Sequence, residues 1–139
     1  MIILDTNVVS AILRLEHEPV VARWLDRQVV TSLFVTSITI FEIHFGLMRM
    51  PSGKRRRNAD SRFNDIISTV VASRILHLDT ASARAAAEAH AARGQDRAKV
   101  NAPDSLIAGL AREHGATVAT RNIKDFSGLG ITLVDPWLP

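Results

Sequence analysis

The chain has 139 residues, 47% of them hydrophobic and 22% charged, so it can bury a core and is not composed like a disordered or fibrous protein. Its formal net charge of +3 is compatible with a polyanionic partner but does not require one. Cysteine is absent, which excludes disulfides and thiolate metal sites and leads us to expect an intracellular, cytoplasmic protein.

The N-terminal segment lacks the pattern of a secretory signal, in which a basic region precedes a long apolar one. No apolar segment reaches the roughly 20 residues that a membrane-spanning helix needs. We therefore expect no membrane association.

Short apolar runs alternate with helical patterns along the chain. The predicted strands are Ile2–Leu4, Leu33–Thr36, Ile75–Leu78, Thr117–Ala119 and Ile131–Val134. The predicted helices are Val8–Leu15, Pro19 to about Gln28, Ile40–Met50, about Lys54–Ser73, Thr80–Arg93 and Pro103–His114. This alternation predicts an α/β fold around a small, mostly parallel sheet of four or five strands, as a single domain over residues 1–139, and leaves the strand order open.

The ends of these helices also carry signals. Thr6 or Asn7 is predicted to cap the first helix, and Ser37 or Thr39 the third. Gly94 and Gly115 are predicted to stop the two helices that precede them.

Four acidic residues follow predicted strands or begin helices: Asp5, Glu42, Asp104 and Asp125. Each has an ordinary explanation, because helix starts attract acids and loop acids form local turns. Asp5 fits such an explanation least well, since it directly follows a buried apolar strand.

Acids near the carboxyl ends of parallel strands meet at one edge of a sheet, where ligands collect. Carboxylates that meet there repel one another unless a cation lies among them. An oxygen-only set suits Mg²⁺, with Mn²⁺ as the alternative ion, and such an ion can activate water for phosphodiester hydrolysis. Spacing alone does not show that the four acids meet.

Four segments in order, ILDTNV, TSITIFEIHFGLMRMP, APDSLIAGLA and VATRNIKDF, resemble the PIN-domain ribonucleases. The resemblance is strongest to the VapC toxins of bacterial toxin–antitoxin pairs, including their FitB-like members. It implies a three-layer fold and Mg²⁺-dependent endonucleolytic cleavage of RNA. It also implies a homodimer and a small cognate antitoxin that forms a hetero-oligomer with the toxin, so that any contact with DNA is made through the antitoxin.

By position, Asp5, Glu42 and Asp104 match the three acidic positions of that family. The resemblance implies that Asp5 and Asp104 bind the metal directly and that Glu42 acts through water or positions the nucleophile. The fourth catalytic position stays open between Asp125 and the neutral Asn122, which follow Thr120. We predict that the site binds one metal ion, and the sequence leaves a second ion open.

Thr6 and Asn7 are interpreted as residues that orient Asp5 by hydrogen bonding, beside their role at the helix start. Arg121 and Lys124 lie next to the predicted cluster and are the candidates for contact with an RNA backbone. The denser basic run GKRRR at 53–57 is interpreted as a solvated helix start.

Two other functions stay open on the sequence. A Mg²⁺-dependent phosphatase or phospho-receiver would use Asp5 as its nucleophile, although Asn7 stands where such phosphatases place a second acid. A non-catalytic nucleic-acid-binding subunit that regulates transcription with a partner is the second alternative, although no helix-turn-helix pattern supports it.

Overall fold

The computed structural model describes residues 1–93 and 102–138 and contains a five-stranded sheet. Its strands are β1 (Ile2–Leu4), β2 (Leu33–Thr36), β3 (Ile75–Leu76), β4 (Thr117–Ala119) and β5 (Thr132–Val134). Every pairing is parallel and the order is β3-β2-β1-β4-β5, with β1 in the centre. The predicted α/β class and parallel sheet are therefore confirmed. Strand β3 ends two residues before the predicted Leu78, and β5 begins one residue after the predicted Ile131.

The described residues form seven α-helices around the sheet. They are α1 (Thr6–Ile12), α2 (Pro19–Asp26), α3 (Ser37–Arg49), α4 (Lys54–Thr69), α5 (Thr80–Ala92), α6 (Ala102–His114) and α7 (Ile123–Phe126). Helix α4 ends at Thr69, and the positive φ values of Ala72 and Ser73, 45° and 60°, prevent it from extending to the predicted Ser73. Gly115, with φ of 59°, follows α6 as predicted, whereas Gly94 lies outside the described residues.

Both predictions of N-terminal caps were wrong by one or more residues. Asp5 caps α1 by accepting a hydrogen bond from the Thr6 backbone N–H, and Thr36 caps α3 by accepting one from Thr39 N–H. The reason is that a cap residue keeps an extended backbone. In both places the strand leads straight into the helix, so the residue that ends or follows the strand is the one with that backbone.

Two apolar clusters cover the two faces of the sheet and make three layers. Leu4, Leu33 and Val35 pack on one face with residues of α1 to α4, while Ile3 and Val118 pack on the other with residues of α5, α6 and α7. The alternation of Ile3 and Leu4 between clusters is the two-residue period of a strand buried on both sides. No helix among the described residues is both long and apolar enough to cross a membrane.

Helices α5 and α6 approach each other closely at Gly109. A Cβ atom on Gly109 would lie 2.4 Å from the Ser82 carbonyl oxygen and 2.6 Å from the Ala86 backbone nitrogen. The missing side chain therefore sets how close α5 lies to α6, the helix that carries Asp104.

Candidate active site at the carboxyl edge of the sheet

The parallel sheet places the carboxyl ends of its strands at one edge. Asp5 follows the central strand β1, and Thr120 follows its neighbour β4. On the other side of β1, strand β2 leads directly into α3, which carries Glu42. Asp104 lies in the first turn of α6. The topology thus brings residues that are distant in sequence to the same edge.

The carboxylate of Asp5 is buried, with 4% of its surface exposed, and is held by neutral donors. Oδ1 accepts from the Thr6 backbone N–H at 2.7 Å. Oδ2 accepts from the Asn7 side-chain amide at 2.9 Å and from the Thr120 hydroxyl at 2.8 Å. Burial raises the pKa of Asp5, while the bonds from Thr120 and Thr6 oppose that rise.

Thr120 connects this carboxylate to the loop after β4. Its hydroxyl oxygen also accepts from the Asn7 amide at 3.1 Å and from the Asn122 backbone N–H at 3.0 Å. The Arg121 backbone N–H donates to Asn7 Oδ1 at 3.2 Å. Asn7 therefore orients Asp5, as the sequence suggested, and also fixes the neighbouring loop.

The Thr6 side chain contacts a different acid from the one predicted. Its hydroxyl donates to Glu42 Oε1 at 2.7 Å, and only its backbone N–H reaches Asp5. The surroundings of Glu42 on α3 are only partly apolar and buried, since Ile38 and Ile43 are buried while Phe41 and Phe45 are 66% and 53% exposed. Glu42 is therefore partly exposed, and Thr6 connects it to Asp5 by hydrogen-bonding to both carboxylates.

Asp104 lies within electrostatic reach of the other three predicted acids. Partial burial, followed by the negative charges of Asp5, Asp125 and Glu42, raises the pKa of Asp104 to about 7. The charges of Glu42 and Asp125 likewise raise the pKa of Asp5. Carboxyl groups whose pKa is raised by burial and by nearby negative charges, as in Asp5 and Asp104, are typical of functional sites.

The two candidates for the fourth position lie on or next to α7, a helix that the sequence did not predict. Asn122 precedes α7, and no hydrogen bond of its side chain caps the helix. Asp125 is exposed on α7, and its charge acts on both Asp5 and Asp104. Asp125 thus acts on these acids through its charge, whereas Asn122 is neutral, and the assignment of the fourth position stays a prediction.

Sequence reasoning missed Arg93, at the end of α5. Its guanidinium donates to the carbonyl oxygens of Asp125 at 2.6 Å and Lys124 at 2.8 Å, and its charge lowers the pKa of Asp104. No sequence signal singled it out, because it closes an alanine-rich helix that is distant in the chain from these residues.

The predicted RNA-contacting cations lie at the surface beside the cluster. Arg121 and Lys124 are both exposed. The Arg121 guanidinium lies over the Trp137 ring, 5.2 Å from its centroid, which limits the directions that the cation can take.

The donor chemistry at this edge fits a hard divalent cation. All the candidate ligand atoms are carboxylate, amide or hydroxyl oxygens. Within residues 1–93 and 102–138, no three carboxylate or imidazole side chains lie close enough together to hold one ion. Mg²⁺ typically takes one or two carboxylates and completes its shell with water, so the prediction that Asp5 and Asp104 hold the ion needs no third carboxylate.

A groove of about 650 Å³ starts at Thr6 and Glu42 and runs between α1 and the α3–α4 pair. Its lining combines apolar side chains with basic ones: Leu13, Leu47 and Met50, then Arg14, Arg55 and Arg62. The groove leads from the acidic cluster across the protein surface.

Comparison with known proteins gives this arrangement a family. The PIN-domain profile matches residues 2–130. The chain belongs to the PIN-domain family. The PIN domain is 35% identical over 139 residues to the VapC ribonuclease Y4jK of Sinorhizobium fredii, covering 100% of this chain and 99% of that one. It is 31% identical over 137 residues to the toxin FitB of Neisseria gonorrhoeae, covering 99% of each.

Solved structures agree with the sequence comparison. The PIN domain superposes on a chain in the structure of FitAB bound to the IR36 DNA fragment with a TM-score of 0.87 and 31% identity, covering 100% of this chain and 97% of the other. The resemblance to PIN-domain proteins of the VapC and FitB type is confirmed. The roles of individual residues stay predictions.

Proposed function

We propose that this PIN domain is a Mg²⁺-dependent endoribonuclease and the toxin of a toxin–antitoxin pair. The observation that carries the proposal is the set of four acids, Asp5, Glu42, Asp104 and Asp125, within electrostatic reach at the sheet's carboxyl edge. Relatives named as a VapC ribonuclease and as a toxin support the same reaction and role.

Different residues of the chain would bind the ion, orient its ligands and accept a proton during phosphodiester cleavage. Asp5 and Asp104 would hold the ion, and the neutral donors Asn7 and Thr120 would fix the direction of the Asp5 oxygens. Glu42, oriented by the Thr6 hydroxyl, would accept a proton from the attacking water. The bound cation would supply charge stabilisation at the phosphoryl oxygens and lower the pKa of water.

Asp5 is poorly suited to the alternative role of phosphorylated nucleophile. Both of its oxygens accept hydrogen bonds and its side chain is 4% exposed. A carboxylate in that state is oriented as a ligand, and a phosphoryl group would have to displace donors on which the loop after β4 depends.

The partner proposals follow from surfaces beside the site and from a relative's assembly. FitAB is a complex bound to DNA, which supports a cognate antitoxin that carries the contact with DNA. The groove at Thr6 and Glu42 offers such a partner a route to the acids. Phe41, Phe45 and Met48 form an exposed apolar face on α3, which supports the proposal of a homodimer.

The reaction is tested with purified protein and a mixed RNA pool. We expect internal cleavage with Mg²⁺ or Mn²⁺, none in EDTA, and a loss of about 10²-fold or more in Asp5→Asn and Asp104→Asn. Asp65→Asn, at an exposed position of α4, is the matched control and should cleave like the wild type. Metal-dependent cleavage that survives in both site variants would show that the proposed site is wrong.

A further inference from the structure

Helix α7 has only four residues, so its position depends on contacts with the rest of the protein. One contact is apolar: Phe126 is 1% exposed and packs in the cluster beneath α6. A second is the pair of hydrogen bonds from Arg93 to the carbonyl oxygens of Lys124 and Asp125. These are carbonyls near the C-terminal end of the helix, where no intrahelical partner is available.

The two bonds have the forked geometry that only arginine provides. Nη1 donates at 2.6 Å and Nη2 at 2.8 Å to consecutive carbonyl oxygens. A planar guanidinium fixes the direction of both acceptors at once, whereas an ammonium group cannot reproduce that fork. Arg93 therefore restricts the rotation of α7 as well as its distance from α5.

The end of α5 is joined to the first part of α6 by a hydrogen bond of 2.8 Å between His90 Nδ1 and the hydroxyl of Ser105, the residue after Asp104. Gly109 of α6 lies against the backbone of Ser82 and Ala86 in α5, so the two helices are in close contact. Arg93 extends this pairing to α7. The same side chain thus contacts the helix of Asp125 and acts electrostatically on Asp104.

We propose that Arg93 is a positioning residue that clamps the carbonyls of α7 and thereby holds Asp125, rather than Asn122, in the acidic cluster as its fourth acid. This inference rests on the proposed nuclease function for its kinetic consequence. The clamp itself is a structural statement that can be tested without activity.

The first test is amide hydrogen exchange on the whole protein. In Arg93→Met, exchange of the α7 amides, including Asp125 and Ser127, should accelerate at least tenfold while β1 and β4 are unchanged. Arg93→Lys should behave like Arg93→Met, because it retains the charge but loses the fork. Arg84→Met, at an exposed position of the same helix, is the matched control and should exchange like the wild type.

The second test is a double-mutant cycle on RNA cleavage with Mg²⁺. Arg93→Met and Asp125→Asn should each lower kcat by about 10- to 100-fold with less than a threefold change in KM. In the Asp125→Asn background, Arg93→Met should lower kcat by less than threefold, because Arg93 acts through Asp125. Asn122→Ala should retain wild-type kcat.

Two results would overturn the inference. The first is unchanged exchange of α7 in both Arg93 variants. The second is a cycle in which the two losses multiply, which would mean that Arg93 acts independently of Asp125. If the wild type cleaves no RNA, the proposed function fails. Hydrogen exchange of α7 and the Mn²⁺ affinity of the same variants then test separately whether Arg93 holds α7 in place.

Discussion

At the scale of single residues, the central feature is a buried carboxylate held by uncharged donors. Asp5 accepts from a backbone amide, a side-chain amide and a hydroxyl, and none of these neutralises its charge. A buried charge without a counter-charge is costly, and its raised pKa reflects that cost. The neutral donors orient the oxygens and leave the charge available to a cation.

Asp104 makes the stability of the metal-free protein depend on pH. Its pKa of about 7 lies above the ordinary value of 3.8 for an aspartic acid, so the folded state retains this proton where the unfolded chain has lost it. Its contribution is therefore fully present below about pH 4 and is lost as the pH rises to 7 and above. Asp104→Asn should remove that decline and stabilise the metal-free protein at pH 8 by about 1–2 kcal/mol, after allowance for solvent screening.

The measurement is urea unfolding in EDTA at several pH values between 4 and 8. Asp65→Asn, which replaces an exposed acid on α4, should leave the pH dependence as it is in the wild type. A pH profile that is the same for Asp104→Asn and the wild type would contradict the burial and crowding of this carboxyl group.

The sequence identified the acidic residues at the sheet edge but not all the side chains that hydrogen-bond to them. Asp5 stands out because it directly follows an apolar strand, and Asp104 because it begins a helix. The Thr120 hydroxyl bonds to both Asp5 and the Asn122 backbone, and the Thr6 hydroxyl bonds to Glu42 instead of Asp5. These contacts depend on side-chain directions in three dimensions. No local pattern encodes those directions.

At the scale of elements, strands with strong apolar runs were predictable to the residue, as β1, β2 and β4 show. Helix α7 was not, because four residues are too few to show a helical period. The exposure of Phe41 and Phe45 on α3 could not be predicted either, since an apolar pattern does not distinguish a core face from a surface that contacts another molecule.

The contact between α5 and α6 gives a prediction at this scale. Gly109→Ala should destabilise the protein by about 1–3 kcal/mol, because the new Cβ would overlap the Ser82 carbonyl oxygen and the Ala86 backbone. Gly46→Ala is the matched control, since a Cβ there has open space within an exposed stretch of α3. That change should stabilise by up to about 1 kcal/mol.

The free energy of unfolding of the two glycine variants, measured with heat or urea, tests whether the close contact between α5 and α6 is required for stability. The contact sets the distance from α5, with Arg93 at its end, to α6, with Asp104 in its first turn. Equal effects of the two substitutions would mean that α5 and α6 can move apart without cost.

At the scale of the whole molecule, the strand order explains why Asp5, Glu42 and Thr120 lie at neighbouring strand ends. The order β3-β2-β1-β4-β5 places β1 between β2 and β4, so the loops after these three strands are neighbours. The sequence predicted the parallel class but left this order open, because every strand is short, apolar and buried in a similar way. Pairing partners are chosen by long-range packing, which no short window contains.

The central claim is that Asp5 and Asp104 hold one cation at this edge of the sheet. Isothermal titration calorimetry of Mn²⁺ at pH 8, where Asp104 is ionised, tests it most directly. We predict one ion per chain for the wild type and for Asp65→Asn, and a loss of binding of at least tenfold in both Asp5→Asn and Asp104→Asn. Unchanged Mn²⁺ affinity in Asp5→Asn and Asp104→Asn would contradict the account.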